Sequence, residues 1–272
     1  MKILIVPDVH GRKFWREIIY NNLHKVDKVI FLGDYLDPYR NEIDESYKLH
    51  SMECEDFEDA QNLLKMLNDI VSLKKNEPEK YILLTGNHTD SYIWSKFNAA
   101  TRTDYKNWEL YHKFFSQNLE FFNLVWVEDN VIFSHAGITD GWAKEVWEKF
   151  RYPESKYKSI MDVALALSDI PLSNVNREYI QLISNISYYR WGESQYGSCE
   201  WADIREHINQ AKTLESNKII PIGENGIYQV FGHTQVTSPI ITEKWACLDC
   251  QKGFIIDTLT KEIVKVKEHY ES

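Results

Sequence analysis

Five short apolar runs of this chain each stop on residues that can bind a cation or move a proton. Residues 3–6 lead to Asp8-Val9-His10, and residues 29–32 to Gly33-Asp34-Tyr35-Leu36-Asp37. Residues 81–84 lead to Gly86-Asn87-His88, 131–133 to Ser134-His135, and 227–231 to Gly232-His233-Thr234. Carboxylate, amide and imidazole atoms are metal-ligand types, and an imidazole beside a carboxylate can do acid–base work near neutral pH. A polar turn or a helix cap explains one such ending. Five of the same kind point to a shared site. Four of the nine histidines lie in these endings; His24, His50, His112, His207 and His269 do not, and read as surface or core residues.

A strand–helix alternation is what places such endings together, because in α/β sheets ligands bind beyond the carboxyl ends of the strands. The run 3–6 reads as a strand buried on both faces, and Phe14, Ile18, Ile19 and Leu23 mark a helix over about 13–23. The run 29–32 completes a parallel βαβ unit that delivers Asp8, His10, Asp34 and Asp37 to one edge. Ala60, Leu63, Leu64, Leu67, Ile70 and Val71 predict a long amphipathic helix, and the acidic stretch 53–56 suits the positive end of its dipole. The aromatic-rich segment 89–123 reads as helical core packing. Residues 126–133 predict a strand, a turn and a strand, and further strands are expected at about 244–249, 253–257 and 263–266. The segment from about 151 to 221 breaks the rhythm and reads as a mainly helical insertion or cap on a single domain spanning 1–272. The class is α/β.

A net charge of -10 argues against stable nucleic-acid binding, so an anionic ligand would need a local positive centre. No run approaches the roughly 18 apolar residues of a membrane span, and a soluble, cytoplasmic protein is expected. Cys54, Cys199, Cys247 and Cys250 are too few and too irregular for a disulfide scaffold. The pair Cys247-Leu-Asp-Cys250 has no second ligand pair nearby for zinc, and is read as part of a core strand whose two sulfurs face opposite ways.

The ordered set of endings resembles the calcineurin-like metallophosphoesterase superfamily. Gly33–Asp37, Ser134-His135-Ala136-Gly137 and Gly232-His233-Thr234 are most similar to its phosphoprotein-phosphatase and diadenosine-tetraphosphatase branch. The resemblance implies a two-layer β-sandwich flanked by helices. It also implies two divalent ions, with Asp8 and His10 on the first, Asp34 bridging, and Asn87, His135 and His233 on the second. A carboxylate can bridge two cations where imidazole cannot, and a mixed oxygen and nitrogen set suits Mn, Fe or Zn. The implied reaction is phosphoester hydrolysis by a metal-bridging hydroxide, with His88, oriented by Asp37, protonating the leaving group.

Phosphorylated small molecules, nucleotides or phosphoproteins are the implied substrates, and no membrane partner is expected. A phosphomonoesterase is the first reading, a nucleotide or dinucleoside polyphosphate hydrolase the second, and a non-catalytic metal-binding scaffold the third. The chain departs from the family in three places. Pro38 and Tyr39 stand where protein phosphatases carry Arg-Gly, Thr89 where Glu or Asp is common, and Gln235 where many members carry a second histidine. Arg40 and Arg190 are the candidate phosphate-binding arginines.

Overall fold

The structure is a computed structural model that describes residues 1–38, 60–94, 100–149, 159–174, 177–216 and 226–266. In chain order its elements are β1 (Lys2–Val6), a helix Phe14–Asn22, β2 (Lys28–Phe31), a helix Ala60–Asn76, β3 (Tyr81–Leu84), helices Asn87–Ile93 and Trp108–Asn118, and β4 (Phe122–Asn123). Next come β5 (Val125–Glu128), β6 (Val131–Ser134), and helices Asp140–Lys149, Ile160–Ser168, Arg177–Ile183 and Ile204–Ser216. The last elements are β7 (Tyr228–Phe231), β8 (Ile240–Ile241), β9 (Trp245–Cys247), β10 (Phe254–Asp257) and β11 (Ile263–Lys265). Two compact units result. The first takes Met1–Phe122 with the returning strands β10 and β11, and the second takes Asn123–Cys250 with Thr258–Glu262.

In the first unit the strands form a mixed sheet in the order β11-β10-β1-β2-β3-β4. The three strands at its centre are parallel, with Val6 opposite Phe31 and Phe31 opposite Leu83. Their carboxyl ends therefore share one edge, as the βαβ reading requires. Ile3 to Val6 and Tyr81 to Leu84 are buried on both faces, which is why these strands are continuous apolar runs and not alternating ones. The helix Phe14–Asn22 buries Trp15, Ile18 and Ile19, then tightens into a single 3-10 turn at Leu23–Lys25. The longer helix buries Leu63, Met66, Leu67, Ile70 and Val71. The acidic stretch 53–56 lies outside the described residues.

The aromatic segment is core packing for the most part. Tyr92, Tyr111, Phe114, Phe115 and Phe122 are buried, and Tyr92 meets Tyr111 edge-on at 5.2 Å between ring centroids.

In the second unit the sheet order is β5-β6-β7-β9-β8. β5 and β6 form the expected hairpin, with Asp129 at φ 52 in its turn, and β6, β7 and β9 run parallel. The carboxyl ends of β6 and β7, which carry His135 and His233, thus face the same way. The predicted strand at 244–249 is shorter than expected. It ends at Cys247, and the chain turns through Gln251 at φ 57, so Cys250 is not a strand residue. The opposite-face argument for the two sulfurs therefore does not apply, and Cys247 instead shares its one S–H between the carbonyls of Gly232 and Thr234, with Sγ 3.5 and 3.3 Å from them. Among the described residues no helix is long and apolar enough to cross a membrane.

Candidate metal centre

In the first unit the hydrogen bonding of β1 to β2 does not stop where the strands end. Leu32 N–H donates to Val6 O at 2.9 Å, His10 N–H to Asp34 O at 2.7 Å, and Gly11 N–H to Tyr35 O at 2.8 Å. These bonds register the loop bearing Asp8 and His10 against the loop bearing Asp34 and Asp37. Gly33, at φ +110, makes the second junction possible. A Cβ there would lie 2.4 Å from Thr85 O, so only glycine lets the end of β2 approach the end of β3. Tyr35 ties the same two strands. Burial, with the Asp34 charge adding, pushes its phenol well above the ordinary value, so the hydroxyl stays protonated and donates to Leu84 O at 2.8 Å.

The side chains at these loops are buried and mutually oriented. His10 donates from Nδ1 to Leu36 O at 2.8 Å, which puts the imidazole lone pair on Nε2. Burial holds His10 well below its ordinary pKa; Asp34 opposes this, while His88, Arg12 and Arg102 add to it. The ring is therefore neutral, the form that binds metals. Its Nε2 lies 3.7 Å from Asp34 Oδ2. Two acceptor atoms facing each other at that separation are favourable when a cation lies between them, so these residues fit the implied metal.

One ligand atom from each of His10, Asp34 and His88 falls within 4.8 Å of the others. The other oxygen of Asp34, Oδ1, accepts the backbone N–H of His88 at 2.9 Å. It thereby caps the helix Asn87–Ile93, whose first residue is the predicted ligand Asn87. Asp8 and Asn87 are buried at the ends of β1 and β3.

His88 donates from Nδ1 to Asp37 Oδ2 at 2.7 Å. Asp37 accepts on Oδ1 from the hydroxyl of Tyr92, one helical turn beyond His88. Burial first, then the Asp37 charge, raises Tyr92 far above the ordinary phenol value, so it remains a donor. Arg102 Nη2 lies 3.4 Å from His88 Nε2. Neither Tyr92 nor Arg102 was singled out from sequence. Tyr92 had a signal, its i,i+4 spacing from His88, which the aromatic background concealed. Arg102 sits in an irregular loop with no motif.

In the second unit, His135 at the end of β6 and His233 after β7 meet with Nε2 and Nδ1 3.1 Å apart. Gly232 N–H donates to His135 O at 2.7 Å and so registers the two endings. Arg190 is brought to the same place: it donates to Thr234 Oγ1 at 2.8 Å and pairs with Asp203 Oδ2 at 2.9 Å. Burial pushes Asp203 up, but hydrogen bonds from Arg205 and the charges of Arg190 and Arg205 hold it below its ordinary value. His207 belongs to the core, stacked on Phe231 and donating to Ala136 O at 3.1 Å. Arg40 lies outside the described residues.

Four of the nine non-glycine residues with positive φ among the described residues are at these positions. His10, Asp34, Asp37 and His233 all have positive φ, between 44 and 62. Such left-handed residues cost on the order of 1 kcal/mol or more each and gather at functional sites.

Comparisons with known proteins identify the family. The family profile described as calcineurin-like phosphoesterase matches residues 1–236. A comparison with curated proteins finds no match. Among solved structures, a cold-active protein tyrosine phosphatase is similar with a TM-score of 0.51 and 12% identity, over 98% of this chain and 78% of that one. A protein serine/threonine phosphatase from Saccharomyces cerevisiae, with similarity to human phosphatase PP5, gives 0.47 and 14%, over 100% and 82%. At such identity the first likeness concerns the fold alone. The profile match over most of the chain, with carboxylates and imidazoles at its strand ends, shows that the chain belongs to the calcineurin-like phosphoesterase family, whose members are metal-dependent enzymes that hydrolyse phosphoesters.

Proposed function

We propose that this protein is a phosphomonoesterase that works with two divalent ions, Mn, Fe or Zn, as one metallophosphoesterase domain with the segment 151–221 as its insertion. The proposed ligands are Asp8, His10 and Asp34 for one ion, and Asp34, Asn87, His135 and His233 for the other. When bound, the ions supply positive charge to the phosphoryl oxygens and acidify the attacking water.

The protein's own residues do the rest. Asp37 accepts a hydrogen bond from His88 Nδ1–H, which fixes the ring and leaves Nε2 as the atom that exchanges a proton with the leaving oxygen. Tyr92 holds Asp37 from its other oxygen, so the carboxylate cannot turn away. Arg190, anchored by Asp203 beside Thr234, is the proposed anion-binding group from the second unit.

The His88–Asp37–Tyr92 relay is the observation that carries this reading, because a metal-binding scaffold has no use for an oriented proton donor. The test is turnover of p-nitrophenyl phosphate by Mn²⁺-loaded protein. His88→Asn is expected to lower kcat by roughly 10²–10⁴ while metal content changes little. Absence of hydrolysis of this monoester and of its bis ester by a fully metallated sample would sink the reading. A panel of phosphodiesters, phosphopeptides and dinucleoside polyphosphates then ranks the substrate classes.

A further inference from the structure

We infer that Arg102 is a substrate-binding residue of this site, gripping the phosphoryl group next to His88; the inference rests on the proposed phosphoesterase reading.

The position of the side chain is built, not incidental. Its loop is pinned to the helix Asn87–Ile93 on both sides: Ala100 N–H donates to Ser91 Oγ at 2.8 Å, and Asp104 N–H donates to Tyr92 Oη at 2.8 Å. Thr103 closes the turn by donating its hydroxyl to Ala100 O at 2.7 Å, with Arg102 itself at φ 70. Tyr92 therefore does two things. It holds Asp37 through its own proton and, through the oxygen lone pair, holds the loop that presents Arg102. The arginine and the imidazole are aimed by one phenol.

The guanidinium reaches two points of the relay at long range. Nη2 is 3.4 Å from His88 Nε2, and Nε is 3.4 Å from the Asp37 carbonyl. Both lie at the long end of N–H hydrogen-bond distances. The side chain is nonetheless exposed, and solvent and ligands can reach it. Arg102 also helps line a cavity of about 190 Å³, shared with Asp37, Pro38, Leu63, Asp104 and Tyr111. A chain of net charge -10 repels an anion unless fixed cations receive it. A planar guanidinium donates two parallel N–H groups to a pair of phosphoryl oxygens, and does so here beside the atom that must meet the leaving oxygen.

The test uses the full chain loaded with Mn²⁺, p-nitrophenyl phosphate as substrate and inorganic phosphate as the product probe, with Arg102→Ala and Arg102→Lys. A bidentate charged contact predicts that Arg102→Ala raises KM roughly ten- to hundredfold and weakens phosphate binding, measured by inhibition and by calorimetry, by a similar factor. Metal content is expected to hold, and Arg102→Lys to recover part of the loss. An active wild type with an Arg102→Ala variant whose KM and phosphate binding stay within twofold overturns this inference and leaves the phosphoesterase reading standing. A wild type that neither hydrolyses the ester nor binds phosphate overturns both.

Discussion

Tyr92 donates its hydroxyl to the carboxylate of Asp37, the same carboxylate that orients His88. A phenol from the hydrophobic core thus sets the aim of the imidazole. Replacing Tyr92 by Phe removes a donor to Asp37 and an acceptor for Asp104 N–H, at a cost of about 1–3 kcal/mol in stability. Turnover is expected to fall by about tenfold with metal content unchanged. Steady-state kinetics at a temperature well below the unfolding transition decides this; a destabilised variant with wild-type kcat would remove Tyr92 from the relay.

Asp34 makes two kinds of contact with one side chain. Oδ1 caps the helix through His88 N–H, and Oδ2 faces the imidazole of His10. In Asp34→Asn the amide oxygen can still accept from His88, so the helix stays capped, but the charge that would be shared between cations is gone. Metal analysis of the dialysed variant is expected to show fewer than two ions per chain. An unchanged count contradicts the bridging role.

Gly33→Ala should act on the same place without touching a ligand. The new methyl must come within 2.4 Å of Thr85 O at a φ of +110, and backbone cannot yield as a flexible side chain can. Strain of this kind costs on the order of 1–3 kcal/mol. Urea denaturation should show the loss at constant m-value, and a midpoint equal to wild type would mean that the two loops separate easily.

Stability should depend on pH through His207. Burial pushes its pKa down to about 4 despite the hydrogen bond to Ala136 O. The unfolded chain therefore binds the proton more readily between about 6.5 and 4, so the stabilisation is complete above this window and is lost as pH falls through it. His10, lowered for the same reason, acts in the same direction. Thermal melts at pH 7, 5.5 and 4.5 should show a falling Tm, and His207→Gln should flatten the decline while lowering Tm at pH 7. A slope identical to wild type would assign the acid sensitivity elsewhere.

The strand endings were legible because burial on both faces forces continuous apolar runs, and a charged residue at the end of such a run stands out. The parallel order of β1, β2 and β3 followed from the helices between them. The closing turn after Cys247 was not legible, because Gln251 carries no turn signature in its side chain. The short outer strand at Ile240–Ile241 escaped for a related reason: two exposed isoleucines have no pattern to announce them. Within the site, residue types that ligate or titrate could be found by eye. Tyr92 and Arg102 could not, since their roles depend on which loop the fold lays beside His88.

The left-handed backbone at His10, Asp34, Asp37 and His233 narrows what can replace them. Asparagine, aspartate, histidine and glycine tolerate this conformation best, whereas β-branched side chains resist it. An attempt to retune metal preference at His10, Asp34 and His233 has a vocabulary of a few letters, and exchanges among imidazole, carboxylate and amide are the ones the main chain will accept; the same limit holds for Asp37, which orients His88. The fold therefore limits the ligand chemistry open to this protein by conformation as well as by charge.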